Sequence, residues 1–155
     1  MKATRPEIEK YLDLLTQTSR LIANATDGVE AARLQARTQK QPWSINDILA
    51  HLRSCADVWG ESIEAMLAEE KPTIPYRHPR QWIKQTEYLQ LPFRKSFKAF
   101  VAQRRKLLKV LRGLAFEDWS RPGIIQGREH TVFTQVRRMA LHEQVHCEQI
   151  ESLLQ

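Results

Sequence analysis

Apolar residues recur at helical spacing in four stretches of the chain, and polar or proline-rich links separate them. In the first, Thr4-Arg5-Pro6-Glu7 is a helix start: Thr4 caps, Glu7 completes a capping box, and Pro6 is tolerated in the first turn. Ile8, Tyr11, Leu12, Leu15, Ser19 and Ile22 follow, and the signal fades near Asn24 to Gly28. Residues 29–41 are polar and read as a connection with at most a turn of helix. Ser44 and Asp47 are placed to cap a second helix, whose stripe is Ile48, Leu52, Cys55, Ala56, Trp59, Ile63 and Met66. A third begins near Pro92, carries Phe93, Phe97, Phe100, Val101, Leu107, Leu108 and Leu111 inward, and stops at Gly113. The fourth runs from a Thr131 cap to Leu154 without Pro or Gly, with Val132, Val136, Met139, Ile150 and Leu153 inward.

The links are less regular. Residues 71–92 hold Pro72, Pro75, Pro79 and Pro92, with room for a short helix around Arg80 to Tyr88. Trp82 and Tyr88 within it are expected to cover the core, or failing that to wall a pocket. Residues 120–130, with Pro122, Gly123 and Gly127, are expected to be irregular. Four amphipathic helices of this length predict an all-α four-helix bundle, one domain over residues 1–155, with links long enough for crossovers.

Composition narrows the class. At 42% hydrophobic and 27% charged the chain reads as globular, and its five glycines and missing strand alternation favour helices. No apolar run reaches the roughly 20 residues of a membrane span, and Met1 to Lys10 lacks a signal-peptide core. With only Cys55 and Cys147, a disulfide framework is not expected and a cytoplasmic location is the default. The net charge of +6 is concentrated in Arg94 to Arg112, which reads as a solvated helix face. That run has no aromatic interleaving and matches no nucleic-acid motif, so nucleic acid is not an expected partner.

The chemistry lies in His142-Glu143-Gln144-Val145-His146. Residues four apart share a helix face, so the two imidazoles can hold two positions on one metal ion. His51, beside the stripe of the second helix, is the candidate third ligand. Neutral imidazole suits a divalent transition metal, Zn or Ni first, with Cu, Fe or Mn also compatible. Three ligands leave positions open, as in a reactive site. Glu143 and Asp47 are available as base or supporting groups. Arg104 falls on an inner helix face and needs a partner: a carboxylate such as Glu143 or Glu61, or a substrate anion. Cys55, one turn from His51, reads as a small core residue before an auxiliary ligand, and His78 and His130 lie in irregular segments.

HEQVH also fits the zincin protease pattern. The third zincin ligand lies downstream, but only nine residues follow His146; Gln149 and Ser152 stand where the metzincin Gly and His would be, and Glu151 is too close on the same helix.

Trp43-Ser44 before His51, the Phe100, Arg104, Leu107-Leu108, Leu111 pattern, Trp119 with Arg121, and the Gly127, Thr131, His142, His146, Gln149-Ile150 ending together resemble the DinB-like (damage-inducible) metalloproteins. These are related to bacterial thiol-dependent S-transferases. The resemblance implies an up-down-down-up four-helix bundle, a divalent metal on His51, His142 and His146, and often a homodimer. The leading expectation is a metal-dependent thiol S-transferase acting on a small molecule, with Glu143 and Arg104 as catalytic groups. A hydrolase using water and a non-catalytic metal-binding stress-response protein are the alternatives.

Overall fold

Each long helix starts where a short polar side chain caps it or a proline leads it. The computed structural model describes residues 1–155. Its long helices are α1 (Arg5–Thr26), α3 (Ile45–Ala68), α5 (Phe93–Arg112) and α6 (Val132–Leu153), with short turns α2 (Ala31–Leu34) and α4 (Pro79–Trp82). The Asp47 N–H donates to Ser44 Oγ at 3.0 Å and the Ser44 N–H to Asp47 Oδ2 at 2.9 Å. Such a cap stabilises a helix by about 1 kcal/mol. On α6 the same exchange joins Thr131 and Thr134, at 3.1 and 2.9 Å.

Side-chain pairs give the helix directions. Tyr11 meets Phe133 and Thr18 meets Glu143, so α1 runs parallel to α6. His51 meets His146 and Trp59 meets Arg138, so α3 runs antiparallel to α6. Arg53 reaches Ser96 and Asp57 receives Gln103, so α3 and α5 are parallel. The order is the expected up-down-down-up.

The core is divided. Leu12, Leu15, Ile63, Met66, Leu108, Phe133 and Met139 fill one half, and Ile22, Leu34, Ile48, Leu52, Phe100, Cys147 and Ile150 fill the other. Between them lies a polar layer. Arg104, 3% exposed, donates to Glu143 Oε1 at 2.7 Å and to the Leu15 carbonyl at 3.0 Å, with a second bond to Glu143 Oε2. Thr18 Oγ1 donates to Glu143 Oε1 at 2.7 Å. One ion pair thus joins α1, α5 and α6, and both oxygens of the carboxylate are engaged.

Two links differ from expectation. Residues 120–130 are not irregular: β1 (Pro122–Ile125) pairs antiparallel with β2 (Arg128–Thr131), Pro122 facing Thr131. Gln126 and Gly127 turn the hairpin with φ of 52° and 75°, as a tight two-residue turn requires. Four-residue strands are too short for alternation to show. At Gly123 a Cβ would lie 2.9 Å from Met66 Cγ, so only glycine lets β1 approach α3 this closely. The hairpin also holds the long link, through Ile74 N–H to Ile124 O and Ile124 N–H to Pro72 O, both 2.8 Å.

In that link helix is confined to α4 and a 3-10 turn at Ile83–Gln85. Trp82 and Tyr88 are anchors rather than core cover. Both donate to Asp57 Oδ2, at 3.0 and 2.6 Å, while Gln103 donates to Oδ1 at 2.8 Å. A carboxylate on α3 draws the aromatic residues to itself because it offers more hydrogen bonding than an apolar face.

Removing one member of a buried ion pair strands the other charge, whereas removing both does not. Arg104→Leu should therefore lower unfolding free energy by about 3–5 kcal/mol. Adding Glu143→Met should restore most of it. Urea denaturation of both variants tests this, and a double variant no more stable than the single would contradict it.

Candidate metal centre

α3 carries His51, and α6, antiparallel to it, carries His142 and His146 one turn apart. The crossing brings the three Nε2 atoms together: His51 to His142 at 3.0 Å and His146 to His142 at 3.1 Å. They form the one group of histidine, cysteine and carboxylate ligands with metal-holding geometry in the structure. Trp43 packs edge-on against His51 and Trp59 against His142, each with ring centroids 5.0 Å apart.

These donors fit a divalent transition metal. Metal–nitrogen bonds of about 2.0–2.1 Å place neighbouring ligand nitrogens about 2.9–3.4 Å apart. His146 Nδ1 lies 2.9 Å from Gln149 Oε1; an amide oxygen only accepts, so Nδ1 carries the hydrogen and Nε2 turns its lone pair to the centre. One ring hydrogen cannot lie straight along both short contacts. Nor does protonation relieve them. Burial, then the neighbouring rings, pushes His142 down to about 3; burial, then His146, pushes His51 down to about 4. Three neutral imidazoles thus converge, a donor set that could hold a cation.

Cys55 Sγ lies 3.6 Å from His51 Nε2. Burial, then the charge of Glu143, pushes its thiol up to about 12. The centre opens on a cavity of about 610 Å³ whose walls include His51, Cys55, Trp59 and His142, with Gln135 and Ile125 farther along and Arg77, Arg80 and Arg138 also lining it. His51 and Arg80 also line a second recess, of about 420 Å³, beside Trp43.

Of the other expected groups, Glu61 and His78 line this cavity, while Glu143, Arg104, Asp47 and His130 do not. Glu143 and Arg104 bind each other in the polar layer and do not line the cavity of the histidine centre. Asp47 serves its cap and accepts two bonds from Arg37, both 2.7 Å. Glu61, offered as a partner for Arg104, pairs with Arg77. His78 caps α4 through Nδ1, and His130 lies in β2. Sequence reasoning missed Gln135, Arg80 and Arg138. Gln135 had a signal, being polar beside Val132, Val136 and Met139 on an apolar stripe.

The family model described as the DinB superfamily matches residues 14–150. No curated protein matches the chain. Among solved structures, YfiT from Bacillus subtilis, described as "a probable metal-dependent hydrolase with an unusual four-helix bundle topology", is similar with a TM-score of 0.85 and 15% identity. The match covers 98% of this chain and 88% of that one. At that identity the likeness establishes the fold.

The lowered histidines set a pH dependence. Unfolded imidazoles take up protons near about 6.5, whereas folded His51 and His142 do so only at about 4 and about 3. Below 6.5 the unfolded chain binds more protons, so their contribution is complete above that value and is lost as pH falls. The metal-free protein should show a falling urea midpoint from about pH 6.5 to about 4. His142→Phe should flatten the slope, and a flat wild-type profile would contradict the assignment.

Proposed function

The chain belongs to the DinB superfamily, and on that footing we propose that it is a metal-dependent enzyme that activates a low-molecular-weight thiol. His51, His142 and His146 hold the metal, with Zn or Ni the best-suited ions. The observation that carries this is the meeting of three Nε2 atoms, that of His142 lying 3.0 Å from His51 and 3.1 Å from His146, beside a cavity large enough for a small molecule. A divalent transition metal there supplies Lewis acidity, making the anion of a thiol or of water available near neutral pH.

The surrounding residues favour the thiol. Glu143 and Asp47 do not line this cavity and are held by arginines, and Glu61, which does line it, pairs with Arg77. A thiol, with its lower pKa, needs less help from a base than water does. Arg80 and Arg138 offer cationic groups to an anionic cosubstrate. In the reaction the thiol sulfur bonds to an electrophilic carbon, the leaving group departs with its electron pair, and the thiol proton passes to solvent. Glu143 and Arg104 are positioning residues in this reading, fixing the face that α6 turns to α3. A second reading, hydrolysis of an ester or amide, is favoured by the description of YfiT. Both readings take a small-molecule substrate, and a homodimer remains an expectation of the family.

Elemental analysis of purified wild-type protein should find near-stoichiometric transition metal, and His51→Ala should be sub-stoichiometric. Unchanged metal content in that variant would place the third ligand elsewhere. Metal-loaded wild type should consume a chloronitrobenzene electrophile only when a thiol from a small panel is present. Ester cleavage without thiol would select the hydrolase instead.

A further inference from the structure

Gln135 is 1% exposed, and neither its amide nitrogen nor its amide oxygen has a hydrogen-bond partner in the protein. It lines the same cavity as His51 and His142. A buried amide without partners weakens the folded state, because its groups lose water and gain nothing. Both ends of this amide are free, so interchanging its oxygen and nitrogen leaves the conclusion unchanged.

We propose that Gln135 is the specificity determinant of this cavity and reads a ligand that presents a donor and an acceptor side by side. A primary carboxamide or a lactam edge does this: its carbonyl accepts from Nε2 while its N–H donates to Oε1. A carboxylate or an ester offers acceptors only and leaves Oε1 unpaired. The ligand's second group is anionic. Arg138 lies one turn along α6, lines the cavity, forms no ion pair, and holds its guanidinium 5.9 Å from the Trp59 ring centroid. Gln135 and His142 are seven residues apart on one helix face, about 10 Å along the axis. The substrate class is therefore a small anionic carboxamide or lactam that reaches from Gln135 to a reacting atom at the histidines. Only that last point rests on the proposed metal centre.

The probes are 4-carbamoylbenzoate and its ester counterpart, 4-(methoxycarbonyl)benzoate, titrated by calorimetry into metal-free and metal-loaded full-length protein. Wild type should bind the carboxamide about tenfold more tightly than the ester, the difference one satisfied hydrogen bond makes. Gln135→Leu should abolish that preference while raising the thermal midpoint, since an apolar side chain removes the unpaired groups. It should leave metal content unchanged. A folded Gln135→Leu protein that keeps the preference overturns the proposal, as does wild type that binds both probes equally or neither. Selective binding by protein that takes up no metal would sustain this inference while refuting the metal reading.

Discussion

A buried ion pair at mid-bundle sets how α6 is turned. Glu143 receives Arg104 from α5 and Thr18 from α1, which fixes its side of the helix toward those two. Successive residues step about 100° around a helix. His142, one residue earlier, is therefore turned to α3, and His146 lies below it on the same face. The apolar halves above and below tolerate sliding, because dispersion contacts are individually weak and non-directional. The polar layer does not, since a misaligned pair would bury an unmatched charge.

α1 ties into this layer from beside α6. α1 supplies both a hydroxyl and a backbone carbonyl to it, from Thr18 and Leu15. α3 packs on another face of α6 and carries His51, Cys55 and Trp59 to the histidine cluster. The buried ion pair and the histidine cluster thus occupy different faces of one helix, and the carboxylate inside HEQVH belongs to the first.

Much of this was legible because it is local. The Ser44–Asp47 cap, the Thr131 start, the Gly113 stop and the helical stripes depend on residues a few positions apart. The histidine cluster was legible for a related reason: His142 and His146 are fixed relative to each other by helix geometry, and only His51 had to arrive from elsewhere. What escaped notice depends on distant partners. Asp57 gathers Trp82, Tyr88 and Gln103 from other segments. For Arg104 the sequence offered Glu143 and Glu61 without ranking them, and the fold selects Glu143. The hairpin escaped because its strands are short and a glycine sits where an inward side chain would have marked the pattern.

Ile124 is bonded to the link at both Pro72 and Ile74, and β2 runs directly into the Thr131 cap of α6. The wall around Tyr76 to Arg80 and the first turn of the histidine helix are therefore one mechanical piece. Transplanting that wall from another member of the superfamily, to give the bundle a new appetite, calls for carrying residues 122–131 along with it. A grafted loop with a foreign hairpin would meet Met66 at the wrong height and tilt the helix on which the imidazoles ride.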